Sequence, residues 1–258
     1  TDTMDTFFIC LANSYKRGGR CVAGVEIDID SNNHWNVKRN TDGSPRWVRP
    51  IARGTEYGEI PEGEAHFLPL LSVVRLTDVV PCPKMAHSED VYYNQMHPIG
   101  RVPSIAAVLD LLTDDVHPVL FYTTDYSISV DTYAHGDYSL MMVHPEGLSF
   151  HLDPSKKRAK YFMTFKYNGA VYDFTVTDPY FYQHIEQHPD AIEKITDVYV
   201  TLSLGLEYEG RHHKLIAAMV IPSDASTIND PFVVRKENLL EKSVRPFTSQ
   251  ERRSCKRC

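Results

Sequence analysis

Cysteine is scarce and odd in number: five in 258 residues, Cys10, Cys21, Cys82, Cys255 and Cys258. A disulfide framework needs a denser, even set, so a reducing compartment is the expected setting, and the cytoplasm is its default. No apolar run approaches the roughly 20 residues that a membrane-spanning helix requires. With 42% hydrophobic and 24% charged residues the composition is that of a soluble globular chain, so no membrane partner is expected. The opening Thr1-Asp2-Thr3-Met4-Asp5 lacks a basic segment followed by a cleavage site, so secretion by a signal peptide is not expected for the chain as given. Positive charge is in deficit as well. Lys and Arg total 27 against 34 Asp and Glu, a formal net charge of −7. That excludes a broadly electropositive surface and confines any nucleic-acid contact to a local basic patch. Catalytic signatures are missing too: there is no Gly-x-Ser-x-Gly elbow, and no Gly-Lys-Ser or Gly-Lys-Thr opens a helix after the glycine pair. No residue is assigned a catalytic role, and the enzyme question leans to no.

What is present is a succession of short β-branched and aromatic runs bounded by Gly, Pro, Asn and Asp, the pattern of an all-β barrel or sandwich. Strands are expected at 6–11, 21–28, 36–38, 47–51 and 70–80, the last long enough to bend around a barrel corner. Residues 84–103 read as a connection. A short helix follows, with Ser104 as its N-cap and Ile105, Val108, Leu109 and Leu112 on one face. In the second half, strands are expected at 138–144, 148–152, 161–167, 171–177, 198–204 and 214–221. Asn168-Gly169 forms the type I′ hairpin turn that needs two positive φ angles. Helical segments are expected near 181–186 and 190–195. The fold class is all-β with minor helices: two small OB-like barrels over 1–130 and 131–225, with a polar C-terminal extension at 226–258 that contains a helix candidate at 236–241.

The candidate chemistry centres on an apolar run that stops in a doubly glycine, three-cation turn and then resumes, Phe8 to Gly24. Gly18 and Gly19 leave backbone N–H groups uncovered, and Lys16, Arg17 and Arg20 place positive charge around them, which is the chemistry of a phosphate contact. Asn13 would orient the loop, and Arg49 would extend the cationic track. Aromatics interleave with cations at Tyr15, at Trp47 beside Arg46 and Arg49, and at Tyr161 beside Arg158 and Lys160, an arrangement that lets bases stack while cations meet phosphates. Cys255-Lys256-Arg257-Cys258 has the gap for two thiolates on one zinc ion but lacks a second pair, so it is an incomplete metal site. His184 and His188 flank Glu186 at the wrong offset for a metalloprotease, and a solvent-facing helix end is the better reading.

Ile9-Cys10-Leu11-Ala12-Asn13-Ser14, Gly18-Gly19-Arg20-Cys21-Val22-Ala23-Gly24, Trp47-Val48-Arg49-Pro50, Thr177-Asp178-Pro179, Ser203-Leu204-Gly205 and Lys214-Leu215-Ile216-Ala217-Ala218 together resemble the bacterial dual OB-fold domain family, in order over nearly the whole chain. The resemblance implies two OB-like barrels and a nucleic-acid-binding or regulatory role in the setting of phage defence. It also matches Cys255 and Cys258 to the family's paired cysteines. The expectation is a non-catalytic accessory protein for single-stranded DNA or RNA. Its alternatives are a sensor of a nucleotide or other small anion through the same loop, or a scaffold for protein partners. No cofactor is expected, apart from zinc if the cysteine tail is completed.

Overall fold

In the computed structural model the described residues are 4–65, 68–82, 87–134, 136, 138–157, 160–223 and 245–246. They fall into two compact units, one built on Thr1–Leu112 with a contribution from Pro222 onward, the other on Thr113–Ile221. Each is a mostly antiparallel sheet with few helices, in accord with the all-β expectation.

The first unit is organised around a long hairpin, β1 (Thr6–Lys16) and β2 (Gly19–Ile29). Phe8, Ile9, Cys10 and Leu11 are all fully buried, so both faces of β1 are covered and the strand reads as a continuous apolar run rather than an alternation. Gly24 lies opposite a bulge in β1, where any Cβ would collide with the Ile9 carbonyl; only glycine admits this approach. Then come β3 (Trp35–Val37), β4 (Trp47–Ile51), α1 (Glu62–Ala65), β5 (Ser72–Leu76), β6 (Val80–Pro81), β7 (Asp90–Tyr92), β8 (Met96–Arg101) and α2 (Ala106–Leu112). Their order across the sheet is β8-β5-β1-β2-β4-β7-β6, with β3 on β2. The expected single strand over 70–80 is broken, because Asp78 takes a positive φ of 52° between β5 and β6. The expected connection over 84–103 instead contains β7 and β8. Pro98 and Gly100 disguise β8, and the β5–β8 register slips beside the proline, which has no N–H for the ladder. Phe8, Cys10, Val22, Val48, Ile60, Leu68, Val74 and Leu76 form one core cluster of this unit.

In the second unit a 3₁₀ turn (Leu120–Tyr122) leads to β9 (Ser127–Ser129), α3 (Val130–Tyr133), β10 (Leu140–Val143), β11 (Glu146–Leu152), β12 (Tyr161–Tyr167) and β13 (Ala170–Val176). α4 (Pro179–Gln187), a second 3₁₀ turn (Pro189–Lys194), β14 (Tyr199–Leu204) and β15 (Arg211–Val220) complete it. The sheet order is β10-β14-β15-β13-β12-β11, with β9 on β15 and the β13–β15 pair parallel. Asn168 and Gly169 both take positive φ, 47° and 78°, as the hairpin chemistry requires. Buried Met163, Phe165, Tyr172 and Phe174 alternate with less buried neighbours on β12 and β13, so the strand period is two. Asp178 caps α4 by accepting from the Tyr180 N–H at 2.9 Å, and its other oxygen accepts from the Met219 N–H of β15 at 2.9 Å.

The units divide between Leu112 and Thr113 rather than at 130. Residues 113–130 carry few sequence signals, but Leu120 and Phe121 are buried in the second core and β9 pairs with β15. β16 (Arg245–Pro246) pairs with β8 and belongs to the first unit's sheet. The helix candidate at 236–241 and the Cys255–Cys258 motif lie outside the described residues.

Candidate nucleic-acid interface

β1 and β2 pair as far as Lys16 opposite Gly19, which reduces the expected basic loop to the two-residue turn Arg17-Gly18. Gly18 takes the φ of 86° that such a turn needs. Gly19 is held against the next segment: a Cβ there would stand 2.2 Å from the Ile60 carbonyl oxygen, and Arg20 and Ile60 exchange backbone hydrogen bonds of 2.8 and 2.9 Å. The tip is therefore a tight hairpin docked on residues 52–61, not an open cradle of N–H groups.

Three expected site residues face inward. Asn13 is 1% exposed and its amide donates to the Ala65 and Leu68 carbonyls at 2.7 and 2.9 Å, so it fastens β1 to the end of α1 rather than orienting the turn. Arg49 is 3% exposed and donates to Asp90 at 2.9 Å, a buried ion pair joining the parallel strands β4 and β7; it does not extend a surface track. Arg20 is 7% exposed, its guanidinium held by both carboxylate oxygens of Glu62 at 2.7–3.0 Å. Bidentate pairing of this kind fixes the plane of the guanidinium. Trp47 is buried, and half-buried Tyr161 packs against Phe181, so neither presents a ring to a ligand.

Lys16, Arg17 and Tyr15 remain at the surface. Tyr15 is 67% exposed, and the Arg20 guanidinium carbon lies 4.5 Å from its ring centroid. One face of this phenol rests on a cation that Glu62 immobilises. Arg17 donates to the Tyr57 hydroxyl at 2.9 Å and lies 5.3 Å from that ring. Arg53, four residues before Tyr57, lies 4.3 Å from the Tyr92 ring. Three Arg–Tyr cation–π contacts thus lie in this unit, two of them made by arginines of the hairpin tip. The nearby carboxylates are already engaged: Glu62 with Arg20, Glu64 with the Tyr93 hydroxyl at 2.7 Å, and Glu59 with the Tyr57 N–H at 2.9 Å. Backbone N–H donors, first its own, hold the Glu59 carboxyl below the usual carboxylate range, with Lys16 adding to the effect. Tyr57, Arg53 and Tyr92 escape a search for cation–aromatic neighbours along the chain, although Arg53-Gly54-Thr55-Glu56-Tyr57-Gly58 carries the signal of a glycine-bounded loop with both residue types.

The remaining candidates are inert or peripheral. Cys10 is fully buried, and burial pushes its thiol up to about 12, so it packs as a small hydrophobe. His184 and His188 sit exposed at the end of α4, and among the described residues no group of three or more His, Cys, Asp or Glu is placed to hold a metal ion.

A family model described as the dual OB-containing domain matches residues 7–219. No curated protein matches the chain. Among solved structures, the crystal structure of the tetrameric p202 HIN2 aligns with a TM-score of 0.31 and 8% identity, covering 85% of this chain and 94% of that one. A Replication Protein A heterotrimer bound to ssDNA aligns with a TM-score of 0.29 and 9% identity, covering 96% of this chain and 55% of that one.

Proposed function

The chain belongs to the dual OB-containing domain family, and on that premise we propose that it is a non-catalytic accessory protein that binds single-stranded nucleic acid through the tip of the β1–β2 hairpin and the adjoining loop at residues 52–60. One observation carries this reading: an exposed tyrosine ring, Tyr15, lies over a guanidinium that a bidentate carboxylate holds still. A ring with one face backed by a fixed cation and the other open to solvent is a stacking surface that loses little freedom on binding. Lys16 and Arg17 stand next to it for the phosphates. Arg20 becomes the residue that positions the ring, and Arg49 and Asn13 become framework.

A sensor of one nucleotide is the second reading, favoured by the net charge of −7, which suits one small bound anion better than a long strand. Salt dependence separates the two. Each phosphate neutralised on a single strand contributes about −0.7 to the slope of log K against log salt, so a strand gives a steep slope and a lone nucleotide a shallow one. Fluorescence titration of the full chain with single-stranded DNA, single-stranded RNA, duplex and a mononucleotide at two salt concentrations tests this. A single strand is expected to bind more tightly than duplex, with a steep slope; equal affinity for mononucleotide and strand contradicts the proposal in favour of the sensor.

A further inference from the structure

We propose that the second unit carries its own contact for single-stranded nucleic acid, centred on the exposed ring of Tyr126 stacked on His213 and flanked by Arg211 and Lys160. The ligand class rests on the reading above; the site does not, since it shares no residue with the hairpin tip.

Tyr126 is 60% exposed, and its ring centroid lies 5.9 Å from that of His213 at an interplanar angle of 30°. Arg211 is anchored by its donation to the Ser127 hydroxyl at 2.7 Å and the Ser127 carbonyl at 3.1 Å, which holds the cation beside this stack. Burial, then Arg211 and Lys160, push the His213 imidazole below its ordinary range, against the weaker opposing pull of Glu209. The ring is therefore held toward its neutral form, a flat stacking partner with Arg211 and Lys160 nearby and with Glu209 and Asp125 as the opposing charges, which suits an aromatic base linked to phosphate.

The loop that presents Tyr126 is held under strain. Phe121 and Tyr122 take φ of 51° and 69°, a left-handed conformation that costs energy for residues with side chains. Lys214, 1% exposed, stabilises it: its ammonium donates to the Leu120 carbonyl at 2.8 Å, to the Thr123 carbonyl at 2.5 Å and to the Thr123 hydroxyl at 2.9 Å. Its backbone N–H donates to the Tyr126 carbonyl at 2.9 Å. The Tyr138 hydroxyl accepts from the Phe121 N–H at 3.1 Å and the Tyr172 hydroxyl from the Leu120 N–H at 3.3 Å. Tyr122, 42% exposed, emerges from the same turn. Buried Lys214 and the hydroxyls of Tyr138 and Tyr172 thus fix a loop that presents Tyr126 beside His213 and Arg211.

Photocrosslinking tests the site. The full chain is irradiated with a bromouracil-substituted single strand, and adducts are mapped by mass spectrometry for the native protein, Tyr126→Leu and Tyr15→Ala. Adducts at Tyr126 or His213 that persist in Tyr15→Ala and are lost in Tyr126→Leu are expected, along with about fivefold weaker binding for Tyr126→Leu. Because Tyr126 is exposed, that variant is expected to keep the native melting temperature. Adducts at Tyr15 alone overturn this second site and leave the first standing; adducts at Tyr126 or His213 alone do the reverse. Adducts nowhere, or an undiminished His213 adduct in Tyr126→Leu, overturn the proposal.

Discussion

Arg20 and Arg49 spend their charge on the interior, and each does so on a carboxylate that lies some forty positions along the chain. For Arg49 the consequence is a large dependence of stability on the pair. Arg49→Met leaves Asp90, itself only 4% exposed, as an uncompensated buried charge. Removing one partner of such a pair costs about 3–5 kcal/mol, so denaturant unfolding should show a loss of that size, partly restored in Arg49→Met with Asp90→Leu. Single-strand affinity of the folded fraction should not change, since the guanidinium is not at the surface. At this scale the sequence discloses which residues are cations and aromatics, but not which way they face. Tyr15, Trp47 and Tyr161 look alike when judged by their neighbours, yet Tyr15 is largely exposed, Tyr161 half-buried and Trp47 buried. Long-range pairing with Glu62 and Asp90 made the difference, and nothing local to Arg20 or Arg49 announces it.

Strands and turns were more legible. β4 and the Asn168-Gly169 hairpin follow from local chemistry, because an apolar run and positive φ are properties of a few adjacent residues, whereas α4 begins at Pro179 under an Asp178 cap, two residues ahead of the helix expected from 181. β7, β8 and β9 were not, since short strands containing Pro98, Gly100 or serines are stabilised by the sheet they join. Two predictions belong here. Asp178 is 2% exposed, and burial raises its carboxyl from 3.8 to about 6 in spite of the N–H donors from Met219, Tyr180 and Phe181. A carboxyl whose folded pKa is raised binds protons more readily folded than unfolded, so its contribution favours the fold below about pH 4 and is lost as pH rises through about 6. The gap corresponds to about 3 kcal/mol. Stability measured from pH 4 to 7, taken as the difference from Asp178→Asn, should fall by roughly that amount; a flat difference refutes it. Lys214→Met should remove the donor to the buried Leu120 carbonyl and to the partly buried carbonyl and hydroxyl of Thr123. At about 1–3 kcal/mol for each unsatisfied group, partly relieved by water, a net loss of about 3 kcal/mol is expected in thermal or denaturant unfolding.

At the scale of the molecule, the chain holds two β units that each present aromatic rings backed by fixed side chains, in a protein whose overall charge is negative. The all-β class was legible because apolar runs, turn residues and the family resemblance agree over residues 7–219. The unit boundary was not, because residues 113–130 earn their place through contacts with β15 and Lys214, far along the chain. Function on this account depends on local patches, so binding should respond to single exposed residues while the net charge stays constant. The most direct test is a titration of a single strand of about 16 nucleotides, the upper site size of one OB fold, against the native chain and Tyr15→Ala over a range of salt. The account predicts affinity about tenfold weaker for Tyr15→Ala, with the slope against salt and the melting temperature both unchanged, because a stacking ring is removed and no phosphate contact is lost. Native affinity in Tyr15→Ala would contradict it.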